Sequence, residues 1–255
     1  IPIILSQTVY QISGIIDYSL LGSIQAAKGW DDMAVKTATG LYSTKYRLLL
    51  SVPISIATAM SASILPSVAS SFSIKDEDSL NKKIRTGIKF NMMIAFPCFV
   101  GLTVFGTQIL MLLFPSQDYV TGGKLLLAGS IAVVLYAVSN ITGAVLQGID
   151  KMRLPVIHSA ISLVVHVIVI VVLLKYTNAG VYALVVGNVV FPLVVSLLNM
   201  QSIYRYTSYK QEIRGTFIVP LISAVVMGVV SFSIYHLIYK IWPHNTILLL
   251  ISIGI

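Results

Sequence analysis

Uncharged, mostly apolar stretches recur along the chain at 48–74, 90–117, 125–149, 154–174, 176–204 and 215–239, each 21 to 29 residues long. A helix that crosses a bilayer needs about 20 apolar residues, so each stretch predicts one membrane span. Residues 1–27 carry a single charge, Asp17, and 241–255 carry none. Together these runs predict helices at 2–24, 41–72, 86–114, 122–148, 153–175, 178–203, 215–239 and 244 onward. The fold class expected is an all-α polytopic membrane protein with about eight transmembrane helices. The run already under way at Ile1 and the one reaching Ile255 are expected to mark an internal piece of a longer protein.

Composition agrees. Of 255 residues, 56% are hydrophobic and 10% charged, against about 25% charged in an ordinary soluble domain. Mean hydropathy is +0.90. A soluble enzyme, a disordered chain and a disulfide scaffold are excluded. The net charge of +8 is no nucleic-acid signal, because its positions follow the loops. Ten of the 17 basic residues (Lys75, Lys82, Lys83, Arg85, Lys89, Lys151, Arg153, Arg205, Lys210 and Arg214) fall in alternate connections on one side. Five others, Lys28, Lys36, Lys124, Lys175 and Lys240, fall on the opposite side. Cytoplasmic loops carry the Lys/Arg excess, so the side with ten is expected to be cytoplasmic.

Pro53, Pro66, Pro97, Pro192 and Pro220 lie within apolar runs. Membrane helices tolerate such prolines where neighbours satisfy the freed carbonyls, as static kinks or as the breaks that transporters move about. Asp76, Glu77 and Asp78 precede Lys82 and Lys83. That order suits either the first turns of a helix, where acids favour the N-terminus, or a solvated linker.

Polar residues inside the spans carry the functional signal. An ionisable side chain in hydrocarbon costs at least about 2.5–3.5 kcal/mol, so it faces a water-filled cavity or a partner. Thr44, Arg47, Ser51, Ser55 and Thr58 are spaced to share one helix stripe, as are Gln7, Gln11, Gly14 and Tyr18 with Tyr10 and Asp17 at the flank. Later spans repeat the design with Tyr136, Asn140, Gly143 and Gln147, with His158, Ser162 and His166, and with Asn188, Pro192, Ser196 and Asn199. Each is either helix–helix glue or part of a common polar cavity. The expected cavity residues are Arg47, Asp17, Lys45, Gln11, Ser51, Ser55 and Asn140. Asp17 could instead sit in a structural ion pair, and Lys45, which points away from Arg47, could reach the outer interface. His158 and His166 share a face, either as packed histidines or as proton-coupling groups.

The histidines and the single cysteine, Cys98, show no metal-ligand spacing. No G-x-S-x-G, H-E-x-x-H or G-x-x-x-x-G-K-[ST] appears, nor an acidic pair facing a cytoplasmic loop. The expectation is therefore no enzyme, no cofactor and no metal.

The stretch from Tyr42 to Phe72, YSTKYRLLLSVPISIATAMSASILPSVASSF, resembles the eighth helix of the bacterial lipid II flippases, the MurJ-like proteins. These have an aromatic-polar start, an arginine, a proline and an L-P-S ending before a basic linker. Counting back from Leu65-Pro66-Ser67, Arg47 falls where that family places a cavity arginine. The opening IPIILSQTVYQISGIIDYSLLG looks like the family's seventh helix, and VLQGIDKMRLP is similar to the basic turn after its tenth. The nearest subgroup is the polysaccharide biosynthesis proteins of the stage V sporulation protein B kind.

The resemblance implies the multidrug/oligosaccharidyl-lipid/polysaccharide exporter superfamily, in which two six-helix lobes enclose a cavity with alternating access, a MATE-like fold. It implies that 1–203 is the carboxy-terminal lobe and 204–255 an additional helix pair. That pair would form a groove for a lipid tail, with Phe217, Val219, Leu221, Val225, Val229 and Leu237 as apolar surface. The implied cargo is a polyprenyl-pyrophosphate-linked saccharide, the implied partners are membrane lipids and the missing amino-terminal lobe, and the implied location is the bacterial cytoplasmic membrane. An arginine suits a pyrophosphate, being always charged and able to bond it with two prongs. A cation-coupled multidrug exporter of the same fold would instead want an acidic, aromatic cavity. A membrane transferase would want catalytic carboxylates, and a scaffold would need no polar stripes.

Overall fold

The computed structural model describes residues 2–115 and 118–241, with the side chains of 2–11, 238, 239 and 241 outside the description. The helix expected from 244 onward lies outside the described residues. Helix α1 spans Pro2–Ala27. Helix α2, Asp32–Gly40, runs through a π-helical segment, Leu41–Arg47, into α3, Leu48–Ser73. Then follow α4 (Glu77–Leu113), α5 (Tyr119–Gly129), α6 (Ala132–Gly148), α7 (Arg153–Tyr176) and α8 (Val181–Tyr206). A second π-helical turn, Arg214–Ile218, leads into α9, Val219–Ile241.

Among the described residues, five helical stretches are long and apolar enough to cross a membrane, and six if α5 and α6 count as one broken span bent by 48°. The break falls at Gly129–Ile131, where there is no proline. Pro53, Pro66, Pro97 and Pro192 all sit inside continuous helices. The chain before α3 is also more helical than expected. Asp31 accepts from the Ala34 amide and starts a helix in what reads as a loop. Asp76 does the same for α4 by accepting from the Ser79 amide at 2.9 Å. The linker reading of 76–83 is thereby overturned: the acids occupy the first turn of a 37-residue helix.

Helix α7 shows which solvent the bundle is built for. Ile157, Ile161, Val164, Ile168 and Val172 point outward, while His158, Ser159, Ser162 and His166 are buried. That is the reverse of a water-soluble amphipathic helix, and an outward apolar stripe marks a lipid-facing surface. Helix α6 is the hub. It is buried along most of its length, with α3 and α4 on one side and α8 on another; α7 and α8 pair, and α1 closes against α7. Helix α9 leans on α4.

Contacts between connections sort the two ends. At one, the Ser208 hydroxyl donates to Glu77, Asn81 donates to Ser208, Arg85 pairs with Glu212 at 2.7 Å, and Lys151 lies over the Tyr206 ring. This is the end with ten basic residues. At the other, Lys28 donates to the Thr177 carbonyl and Lys45 to the Asp118 carbonyl, both at 2.7 Å.

Candidate functional site

The π-helical segment Leu41–Arg47 organises the polar centre. Single π turns inside α-helices insert one residue and re-aim the side chains around it. Here Tyr42, Lys45 and Tyr46 are buried, Thr44 is exposed and Arg47 is half-buried. The Tyr42 and Tyr46 rings stack at 5.4 Å, and Tyr18 of α1 meets Tyr42 edge-on at 6.2 Å.

Arg47 lies over Gly14 of α1. A Cβ at Gly14 would collide with Nη1 and sit 3.3 Å from Cζ, so glycine is what gives the guanidinium room against α1 there. The Tyr18, Tyr42 and Tyr136 hydroxyls lie near the Arg47 guanidinium. Thr44, Ser51 and Ser55 are exposed beside it, and Thr58 is half-buried. The Thr44, Ser51 and Ser55 hydroxyls donate to carbonyls of their own helix, Gly40, Leu48 and Ser51. Their free lone pairs therefore face outward as acceptors. Asn140 of α6 donates to Thr58 Oγ1 at 2.8 Å, joining this stripe to the hub helix. The structure thus brings Arg47, Ser51, Ser55 and Asn140 onto one face. The Gln11 side chain lies outside the described residues.

Asp17 and Lys45 are placed differently from the cavity expectation. Lys45 is 2% exposed and reaches away from Arg47 to the Asp118 carbonyl. Asp118 caps α5 through Thr121, whose hydrogen bonds, aided by Lys45, hold its carboxyl below the usual range. Asp17 is also 2% exposed. Its Oδ1 is 2.7 Å from His166 Nε2, and its Oδ2 accepts from the Tyr42 hydroxyl at 3.3 Å. His166 is held by the Gly187 carbonyl at 2.8 Å from Nδ1. A Cβ at Gly187 would come within 3.0 Å of the imidazole and closer still to Ile170, so the bare α8 backbone is what lets the ring in. An intramembrane acid demands a partner, but with the two 149 positions apart nothing in the spacing selected His166 over Arg47.

The remaining stripes are internal glue. His158 bonds Asn199 at 2.7 Å, Asn199 reaches Thr142, Ser162 donates to the Phe191 carbonyl, and Ser196 to that of Leu135. Tyr46 donates to Asn188 Oδ1, whose amide donates to the Tyr136 hydroxyl. Of the apolar positions expected on a groove, Val225 and Val229 line one with Phe99, Val104, Leu127 and Phe232, of about 540 Å³, between α9, α4 and α5. Among the described residues no group of three or more His, Cys, Asp or Glu could hold a metal.

The chain is 25% identical over 185 residues to the lipid II flippase MurJ of Bacillus subtilis, covering 71% of this chain and 34% of that protein. It is also 25% identical over 201 residues to the probable low-salt glycan biosynthesis flippase Agl15 of Haloferax volcanii, covering 76% and 42%. It therefore spans less than half the length of these relatives. A solved lipid II flippase MurJ in an inward closed conformation superposes with a TM-score of 0.67 at 19% identity, over 97% of this chain and 49% of that one, a likeness of fold. The family profile of the lipid II flippase MurJ matches residues 1–252, and this multi-pass membrane chain belongs to that family.

Proposed function

We propose that this chain forms part of a flippase that moves a polyprenyl-pyrophosphate-linked saccharide across the bacterial cytoplasmic membrane by alternating access. The cavity is completed by an amino-terminal lobe of the same protein, and the end with ten basic residues faces the cytoplasm. The observation that carries the reading is Arg47: a permanent cation, half-buried between Gly14 and the tyrosines, on a face of outward hydroxyl acceptors. A pyrophosphate cannot enter hydrocarbon bare, and a guanidinium offers it two parallel donors. Saccharide hydroxyls can donate to Ser51 and Ser55. Asp17 and Lys45 act behind this face, as partners that hold it in place. A cation-exporting reading is less favoured, because the acid it would use is occupied by His166 and the accessible charge is positive.

The test is an allelic series in the full-length protein. Arg47→Lys keeps the charge and loses the fork, so it should retain partial activity. Arg47→Ala should approach zero, and all variants should insert equally, since losing a charge eases insertion. The readout is complementation of flippase-depleted cells together with accumulation of lipid-linked precursor on the cytoplasmic face. Normal complementation by Arg47→Ala at normal expression would falsify the anionic-cargo reading.

A further inference from the structure

Helix α1 ends in a glycine turn. Gly29 has φ +87°, its amide donates to the Ala26 carbonyl, and the Trp30 amide donates back to the Gln25 carbonyl, both at 3.0 Å. In this closure a left-handed residue follows the helix and the next residue folds back over its last turn, commonly with an apolar pair across the fold. Here the pair is Trp30 and Gln25, an aromatic ring and an amide. Two further contacts fix the corner. Lys28 donates to the Thr177 carbonyl at 2.7 Å, tying the end of α1 to the turn between α7 and α8. A Cβ at Gly180 would lie 3.2 Å from Cη2 of Trp30, so the rim of the indole rests against bare backbone at the start of α8. Gln25, Lys28, Trp30 and Asn178 then line a pocket of about 350 Å³, the size of a small-molecule site.

The lining selects the ligand. Gln25 is 2% exposed. Among the described residues its side-chain amide has no hydrogen-bond partner, and the little exposure it keeps includes that amide. A nearly buried amide left unpaired is costly, and it calls for a ligand that both donates and accepts. Asn178 is exposed and offers the same two functions at the rim. The Lys28 ammonium keeps two hydrogens beyond the one given to Thr177. Trp30 is 38% exposed and supplies an apolar face. Among the described residues no carboxylate lines the pocket, which disfavours a metal ion or an organic cation. A wholly apolar ligand would leave Gln25 unpaired. A sugar ring matches the set: its C–H face stacks on the indole, and its hydroxyls exchange hydrogen bonds with the amides and accept from Lys28.

We propose that Gln25, Lys28, Trp30 and Asn178 form a saccharide-binding site at the end of the bundle opposite the ten basic residues, separate from the Arg47 face. Under the flippase reading, on which this step rests, that end is the outer one, and the pocket receives the sugar head group once it has crossed.

The test uses the full-length protein in lipid nanodiscs and free sugars that carry no lipid: glucose, N-acetylglucosamine and its disaccharide chitobiose. Saturation-transfer NMR reads their binding, and titration gives the affinity. At least one should bind, with transfer strongest at the ring protons of one face. Trp30→Ala should weaken that binding about tenfold, the loss of one aromatic stacking contact, and Trp30→Phe should recover part of it. Gln25→Leu fills the same space without the amide and should weaken binding about three- to tenfold. Should Gln25→Leu not fold, the surface Trp30 series decides. Arg47→Ala should leave these affinities as they are. Binding that ignores both Trp30 and Gln25, or no binding of any of these sugars, would overturn the site, reducing Trp30 to a membrane-interface anchor, and would leave the flippase reading untouched. Normal flipping by Arg47→Ala, with Trp30-dependent sugar binding intact, would sink the anionic-cargo reading and leave the saccharide site standing.

Discussion

Gly14→Ala tests the placement of Arg47 without touching its charge. The added methyl would fall on Nη1, the far end of a flexible side chain, so the guanidinium must withdraw by roughly 1 Å to restore ordinary contact. The helix itself gains about 0.5–1 kcal/mol from replacing glycine, and displacing the guanidinium from the tyrosine hydroxyls beside it costs up to about 1 kcal/mol. Stability should therefore stay nearly level. Cargo binding should not. A hydrogen bond to a charged group contributes about 1.5–3 kcal/mol, so a guanidinium that has lost one prong should bind cargo about 10- to 100-fold more weakly. The assay is initial flipping rate against lipid-linked saccharide concentration in proteoliposomes, with folded protein measured in parallel. A half-saturating concentration unchanged from wild type would refute the argument. So would a collapse in folded protein, which would mean that backbone rather than the guanidinium fills the space beside Gly14.

Further outcomes follow from other parts of the bundle. Lys45→Ala should lose the bond to the Asp118 carbonyl and lower thermal stability by about 1–3 kcal/mol, while flipping per folded molecule is retained; a loss of cargo affinity at normal stability would return Lys45 to the cavity. Lys82 is exposed, so Lys82→Cys should resist an impermeant thiol reagent in intact cells and react after permeabilisation. Ready labelling from outside would invert the topology. Burial pushes the Tyr209 hydroxyl up to about 12 from 10.0. The folded state thus favours the neutral phenol, and the packing of this connection is fully present below pH about 10 and lost as pH rises through about 12. In a tyrosinate absorbance titration, Tyr209→Phe should remove one group's contribution near pH 12 and leave the rest of the curve unchanged.

The helical, membrane-embedded character of this chain was legible from residue order. Runs of more than 20 uncharged residues leave a backbone in lipid no alternative to the helix, and the grouping of basic residues into alternate connections reappears at one physical end of the bundle. The Ser51, Ser55 and Thr58 part of the Arg47 stripe was legible too, because hydroxyls at three- and four-residue spacing share a face of the regular helix that starts at Leu48. Tertiary structure decided what local periodicity cannot carry. The bend at Gly129–Ile131 has no proline to announce it. Lys45 and Arg47 are two residues apart and so point to opposite sides of the helix; only the packing of α5 shows that the Lys45 side is closed and the Arg47 side stands beside the hydroxyl stripe. Asp17 needed a partner by electrostatics alone, but only the approach of α7 to α1, permitted by the bare backbone at Gly187, selected His166 and turned an expected cavity acid into a buried pair.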